Sequence, residues 1–154
     1  MEDIATLRRI LEQCRTIAVV GLSNKWHRPS FFAAKYMQKH GYRIIPVNPA
    51  YDEVLGERCY PDLKSIPEQV DMVDIFRRPE EVPPLAEDAI AIGARCLWLQ
   101  IGVIHEEAAA RARAAGLDVV QDRCVKIEHG RLFGGLNWMG VNTKVISAKR
   151  PIAR

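Results

Sequence analysis

The residues between positions 16 and 30 hold the most suggestive chemistry of the chain. An apolar run, Ile17-Ala18-Val19-Val20, breaks at Gly21. Leu22, Ser23, Asn24 and Lys25 follow, then Trp26, His27 and Arg28. A Pro29-Ser30 pair then suits the first turn of a helix. Strand, glycine turn and helix N-terminus in that order make a place for an anion, because backbone N–H groups and the helix dipole favour negative charge. Lys25, His27 and Arg28 make the loop cationic, and Ser23 and Asn24 add side-chain donors. A dinucleotide fingerprint would place glycines two and five positions after Gly21, where this chain has Ser23 and Trp26. A nicotinamide dinucleotide also asks for an acidic residue after the second strand, to hold the ribose hydroxyls. That strand ends here in Asn48-Pro49, with Asp52 and Glu53 only later in the loop. Both discriminating features are missing. An anionic nucleotide with more phosphate, and no need of an acidic ribose partner, fits the turn better.

Other reactive residue types are more scattered. Cys124 follows Asp122-Arg123, and an adjacent arginine favours a reactive thiolate. The competing reading of Cys124 is a small apolar residue packed in a turn. Cys14, Cys59 and Cys96 form no C-x-x-C and no paired Cys/His spacing, so a zinc site is not expected. Glu128 and His129 are a neighbouring acid and base, but no nucleophile lies near them in sequence, and no catalytic set is assigned. Arg77 and Arg78 would point to opposite sides of an extended segment, so one of them can face a ligand. Trp26 could stack on a base or pack its loop. His105 reads as a helix cap, and Cys96 and Trp98 as core.

The elements that must position these residues follow from periodicity. Ile4, Leu7, Ile10 and Leu11 mark one face of a first helix. Unbroken apolar runs give strands at Thr16–Val20, at "YRIIPVNP", at "VDMVDIF", at "RCLWLQIG" and at "LDVVQD". Helices are expected from Pro29 to about His40, after Pro79 with a kink or late start at Pro83-Pro84, and over "HEEAAARARAAG". The stretch "DEVLGERCYPDL" is turn-rich, with room for one short strand or helical turn. The segment from Cys124 onward carries too many glycines to read as helix. Short buried strands alternating with helices predict a Rossmann-like three-layer α/β/α domain with a mainly parallel sheet of five strands or slightly more. In such sheets ligands bind at the carboxyl ends of the strands. The strand ends here are Gly21-Leu22-Ser23-Asn24, Val47-Asn48-Pro49, Phe76-Arg77-Arg78-Pro79, Gln100-Ile101-Gly102 and Gln121-Asp122-Arg123-Cys124.

Composition bounds the reading. The 154 residues, 48% of them hydrophobic, suit one domain over 1–154, with a core at about 3–133 and an irregular tail at 134–154. A net charge of +3, with basic residues scattered, gives no footprint for nucleic acid. No apolar run approaches the roughly 18–20 residues of a membrane span, and the charged N-terminus is unlike a signal peptide, so a cytoplasmic location is expected. A small apolar-rich domain of this kind is compatible with a homodimer.

Five segments in order, "IAVVGLSNKWHRPS", "GYRIIPVNP", "DMVDIFRRPEEV", "LWLQIGV" and "VVQDRCVKIEH", resemble the small stand-alone CoA-binding proteins. These are similar to the N-terminal CoA-binding domain of the succinyl-CoA synthetase alpha subunit. The resemblance spans about residues 3–133 and implies coenzyme A, or an acyl-CoA, held across the strand ends. Carried over by position, Gly21-Leu22-Ser23-Asn24 matches the turn that binds the nucleotide end, and Asn48-Pro49 the turn after the second strand. Phe76-Arg77-Arg78-Pro79 matches the segment along the CoA chain, and Asp122-Arg123-Cys124 a proline-asparagine-cysteine turn. The glycine- and lysine-rich turn of the synthetase is here Ala50-Tyr51-Asp52, so Lys25 or Arg28 would have to meet the phosphate. Ser30 at the helix start and Gly102 at the fourth strand end complete the expected site. The synthetase domain that carries its phosphorylated histidine has no counterpart in these residues, so binding is implied and a ligase reaction is not. Two other readings stand beside it: an acyl-CoA hydrolase or thiol-redox enzyme using Cys124, and a nicotinamide- or nucleotide-binding regulatory module. A branched side chain at Gly21 is expected to abolish binding in a chain that still folds.

Overall fold

The computed structural model describes residues 3–134. Its centre is a sheet of five parallel strands: β1 (Thr16–Val20), β2 (Arg43–Val47), β5 (Met72–Ile75), β6 (Cys96–Leu99) and β7 (Asp118–Val120). They lie in the order β2-β1-β5-β6-β7. A separate antiparallel pair, β3 (Glu53–Val54) and β4 (Glu57–Arg58), turns through Leu55-Gly56. The helices are α1 (Ile4–Gln13), α2 (Pro29–Lys39), α3 (Val82–Ala91), α4 (Glu106–Ala114) and α5 (Val125–Phe133). The five-stranded parallel expectation is met.

The strands bury both faces, which is why they read as unbroken apolar runs. Ile17, Val19, Met72 and Trp98 pack on one side with Leu7 and Leu11 of α1, Met37 of α2 and Val125 of α5. Ala18, Val20, Val73 and Leu97 pack on the other with Ala86 of α3 and Ala109 of α4. Three layers result. β1 leads through α2 to β2 on one side, and the chain then returns to β5 on the other side of β1. The carboxyl ends of β1 and β5 therefore flank the switch point, where a ligand crevice forms in this architecture.

Local chemistry explains most boundaries. Asp3 caps α1 by accepting from the Thr6 N–H at 2.8 Å. Pro29 stands in the first turn of α2. Pro83 and Pro84 do delay α3: a 3₁₀ turn at Pro79–Glu81 comes first, and the prolines then fall in the first helical turn, where an N–H has no partner to lose. The turn-rich segment supplies β3, β4 and a 3₁₀ turn at Leu63–Ser65. Two expectations need correction. Ile4, placed with Leu7, Ile10 and Leu11, is 61% exposed, since the first turn of α1 extends past the core. The glycine-rich segment after Cys124 does form a helix, α5. Gly130 costs it about 1 kcal/mol of propensity, but Val125 and Leu132 are buried and tie the helix down. Gly134 lies just beyond its end. The tail expectation for 135–154 falls outside the described residues.

Candidate functional site

Gly21 ends β1 with φ of +87°, a conformation that favours glycine. Its N–H donates to the Val47 carbonyl at 2.9 Å. A Cβ built on it would lie 2.5 Å from the Phe76 carbonyl oxygen and 2.8 Å from Cδ of Arg77. The turn is thus wedged between the ends of β2 and β5. This corrects the expectation that a branched side chain would spare the fold: the collision is with backbone, so the fold suffers first.

The loop beyond is held by its own polar groups. Ser23 donates its N–H to Oγ of Ser30 at 3.0 Å, and Oγ of Ser23 accepts from the Lys25 N–H at 3.0 Å. Nδ2 of Asn48 donates to the Leu22 carbonyl at 3.1 Å, and its Oδ1 accepts from the Ala50 N–H at 2.9 Å. Asn48 therefore ties the β1 and β2 turns together with both ends of its amide. Leu22 is fully buried in the core, and Ser30 is buried too. Pro49 is exposed beside Asn48. Asn24, Lys25 and Arg28 are exposed along the loop, and Trp26 is 71% exposed, its ring meeting that of His27 edge-on at 5.7 Å. Arg28 is the N-cap of α2 and makes no side-chain capping bond.

A cleft of about 680 Å³ opens at the carboxyl ends of β5 and β6. Pro29, Phe76, Pro79, Ile101 and Val103 give it apolar walls, and Arg77, Arg78, Glu81 and Gln100 its polar groups. Gly102 is also on its lining. The two arginines do not splay apart. Glu81 accepts from both, from Nε of Arg77 and from Nε of Arg78 at 2.9 Å each. This pairing holds the Glu81 carboxyl below its ordinary pKa and raises that of Arg78. A bound anion would compete with this resident carboxylate.

The next strand end buttresses the cleft. Asp122, with φ of +59°, accepts from the Gly102 N–H at 2.7 Å. Oε1 of Gln121 accepts from the His105 N–H at 2.8 Å, and His105 caps α4 through Nδ1, as its position suggests. Cys124 is the N-cap residue of α5 and is only 8% exposed, packed in the core layer of α1, α2 and α5. The Arg123 guanidinium is directed to Glu128, at 3.4 Å. Glu128 is buried and also accepts from Arg131 at 2.8 Å. Its neighbour His129 meets the Tyr36 hydroxyl at 3.0 Å, so acid and base serve different partners. Burial pushes the Cys14 thiol up to about 12 and raises that of Cys59. Among the described residues no group of three or more His, Cys, Asp or Glu could hold a metal ion, and no helix is long and apolar enough to cross a membrane.

The structure thus gathers Phe76, Arg77, Arg78 and Gly102 around one cleft, with α2 starting at its rim, and sets the Ser23–Arg28 loop before that helix. It uses Leu22, Ser30 and Asn48 to shape the turns, and places Cys124 in the core. Sequence reasoning missed Glu81 and Asp74, and named Gln100 only as part of a strand end. Glu81 was legible as an acidic residue three and four positions after the arginines, at a helix start. Asp74 stood out as a carboxylate inside an apolar strand.

Similarity to known proteins bears on what the cleft serves. A Bacillus subtilis protein, YneT, is 42% identical over 125 residues, 81% of this chain and 93% of YneT. A hypothetical protein from Pyrococcus horikoshii OT3, known as a solved structure, is 41% identical with a TM-score of 0.84, covering 86% of this chain and 94% of that one. The Archaeoglobus fulgidus acetate–CoA ligase (ADP-forming) II is 31% identical over 80% of this chain, which spans only 19% of that larger protein. A family model described as a CoA binding domain matches residues 15–130. Its span runs from the residue before β1 into α5 and takes in every strand end described above, and on that match the chain belongs to the CoA-binding domain family.

Proposed function

We propose that this protein binds coenzyme A or an acyl-CoA at the carboxyl edge of its sheet, and that it does not turn the ligand over alone. The observation that carries the reading is the cleft of about 680 Å³ beside the switch point, apolar along most of its wall with two arginines at one side. An arm of methylenes and amides suits the apolar wall. Phosphates suit Arg77 and Arg78, the Lys25–Arg28 loop and the start of α2. Family membership supports the ligand class. The ligase activity named for the archaeal relative belongs to a protein five times longer, so it is not carried over. The nicotinamide reading finds less support. The residue after β2 is Asn48, whose side chain is engaged with Leu22 and Ala50. A redox role for Cys124 is likewise disfavoured by its burial and by the commitment of Arg123 to Glu128. A cytoplasmic protein carrying CoA is the setting we envisage.

Thermal shift against CoA, acetyl-CoA, NAD, NADP and ATP tests the proposal. CoA should raise the melting temperature and NAD should not; at a hundredfold excess over Kd the gain is about 2.7 kcal/mol. A shift with NAD and none with CoA would overturn it.

A further inference from the structure

Two buried acceptors have no hydrogen-bond partner among the described residues: Oδ1 of Asp74 and Oε1 of Gln100. A desolvated acceptor without a donor is uncommon and calls for an account. These two are neighbours. Asp74 stands level with Val19 of β1 and with Trp98 of β6. Gln100 follows Trp98 by two residues, and its N–H continues the ladder to the Ile75 carbonyl at 3.3 Å. Alternation therefore puts Gln100 on the same face as Trp98 and Asp74. Strands about 4.8 Å apart, with a rise of about 3.3 Å per residue, set the two Cα atoms about 8 Å apart on the diagonal. A carboxyl and a longer amide arm are long enough to reach each other across that gap. Phe76 shares the face and lines the cleft with Gln100, while Asp74, two residues before Phe76, is buried beneath them.

Two facing acceptors repel; a proton on the carboxyl turns one of them into a donor. Burial pushes the Asp74 carboxyl well above its ordinary range. Its surroundings offer no counter-charge among the described residues, since Arg77 and Arg78 beyond the end of its strand are paired with Glu81. Val19 and Trp98 flank it. The same core layer holds the thiols of Cys14 and Cys96, that of Cys124 from α5 and the Tyr42 hydroxyl. Ser30 of α2 accepts from Ser23. The cations Arg123 and Arg131 are engaged with Glu128, and His129 with Tyr36.

We propose that Asp74 is a neutral carboxylic acid whose O–H donates to Oε1 of Gln100, and that this pair fixes the Gln100 amide so that its Nε2–H2 faces the cleft and donates to an acceptor oxygen of the ligand. Gln100 is then a ligand contact and Asp74 its positioning residue. Loss of the proton reverses the amide: Nε2 turns inward to the carboxylate, and Oε1 faces the ligand acceptor. Ligand affinity is thereby linked to one proton held below the site. The inference rests on the CoA reading for its ligand half only.

Carboxyl-carbon NMR on the 13C-labelled chain, with Asp74→Asn to assign the signal, reads the first half without ligand. Asp74 should keep the shift of the protonated acid at about pH 7; a carboxylate shift there overturns the proposal. Calorimetry with acetyl-CoA reads the second half. Asn supplies an N–H in place of the acid O–H, so Asp74→Asn should bind within about twofold of wild type, whereas Asp74→Leu should bind about tenfold more weakly, the loss expected for one hydrogen bond. Wild-type affinity should fall at alkaline pH relative to Asp74→Asn. Equal pH profiles for wild type and Asp74→Asn refute the linkage, and they decide it even where Asp74→Leu does not fold. If acetyl-CoA fails to bind wild type at any pH, the functional reading falls while the NMR result still judges the Asp74–Gln100 pair.

Discussion

Replacing Gly21 by alanine should destabilise the fold by about 2–5 kcal/mol, from two separable contributions. The first is conformational: at φ of +87° an L-residue meets its own carbonyl, at a cost of about 1–2 kcal/mol. The second is steric. The new Cβ would lie 2.5 Å from the Phe76 carbonyl oxygen, an atom of the β5 terminus that cannot rotate away. Overpacking of this kind adds about 1–3 kcal/mol. Gly102 is the internal control. Its φ is +86°, yet a Cβ there would meet nothing within 4 Å, so Gly102→Ala has the first contribution alone. Urea denaturation of both variants, with m values checked against wild type, isolates the collision as the difference between them. That difference should be about 1–3 kcal/mol. Destabilisation of Gly21→Ala within about 0.5 kcal/mol of Gly102→Ala would show that the Phe76 end gives way freely, and the wedge between β2 and β5 would not exist.

Arg28→Ala should weaken CoA by about tenfold, and dephospho-CoA less if Arg28 meets the 3′-phosphate; calorimetry with both ligands checks this. Glu81→Gln should tighten CoA several-fold at low salt, because Arg77 and Arg78 lose their resident carboxylate, and the gain should shrink as salt is added. Glu128→Ala should cost about 2 kcal/mol in chemical denaturation, since it removes the buried carboxylate that Arg123 and Arg131 both meet. The raised carboxyl of Asp74 binds a proton in the folded chain that the unfolded chain releases above a pKa of about 3.9. Its contribution is fully present below that value and is lost as pH rises, so wild-type stability should fall relative to Asp74→Asn from about pH 4 upward. Parallel stability–pH curves for the two would contradict this.

The sheet was legible because each strand is buried on both faces and so written in unbroken apolar residues. The first turn was legible because Gly21, Ser23 and Pro29 each answer a local need. α5 was not, because Gly130 and Gly134 argue against a helix, and only packing reveals one. A Cβ on Gly130 would make ordinary contact with the Tyr36 hydroxyl at 3.5 Å, so the crossing with α2 does not itself demand glycine there. The direction of a charged side chain was equally hidden. The spacing in "FRRPEE" lets Glu81 meet either arginine but does not say that it takes both, and nothing in "DRCVKIE" says that Arg123 turns to Glu128. Those outcomes depend on a helix start folding back on the strand end. Asn48 shows the same limit: its residue type suggested a ligand donor, and its place between two turns gives it a bracing task.

The Arg8 guanidinium stacks over the Phe133 ring, 5.0 Å from its centroid. The first helix therefore lies against the last described one, although the two stand at opposite ends of the described residues. A contact so distant in sequence forms only once the sheet between them has assembled. A cut in the exposed Gly56 corner between β3 and β4, where a Cβ would meet nothing, would leave two fragments still held to each other by α1 against α5 and by β1 beside β5.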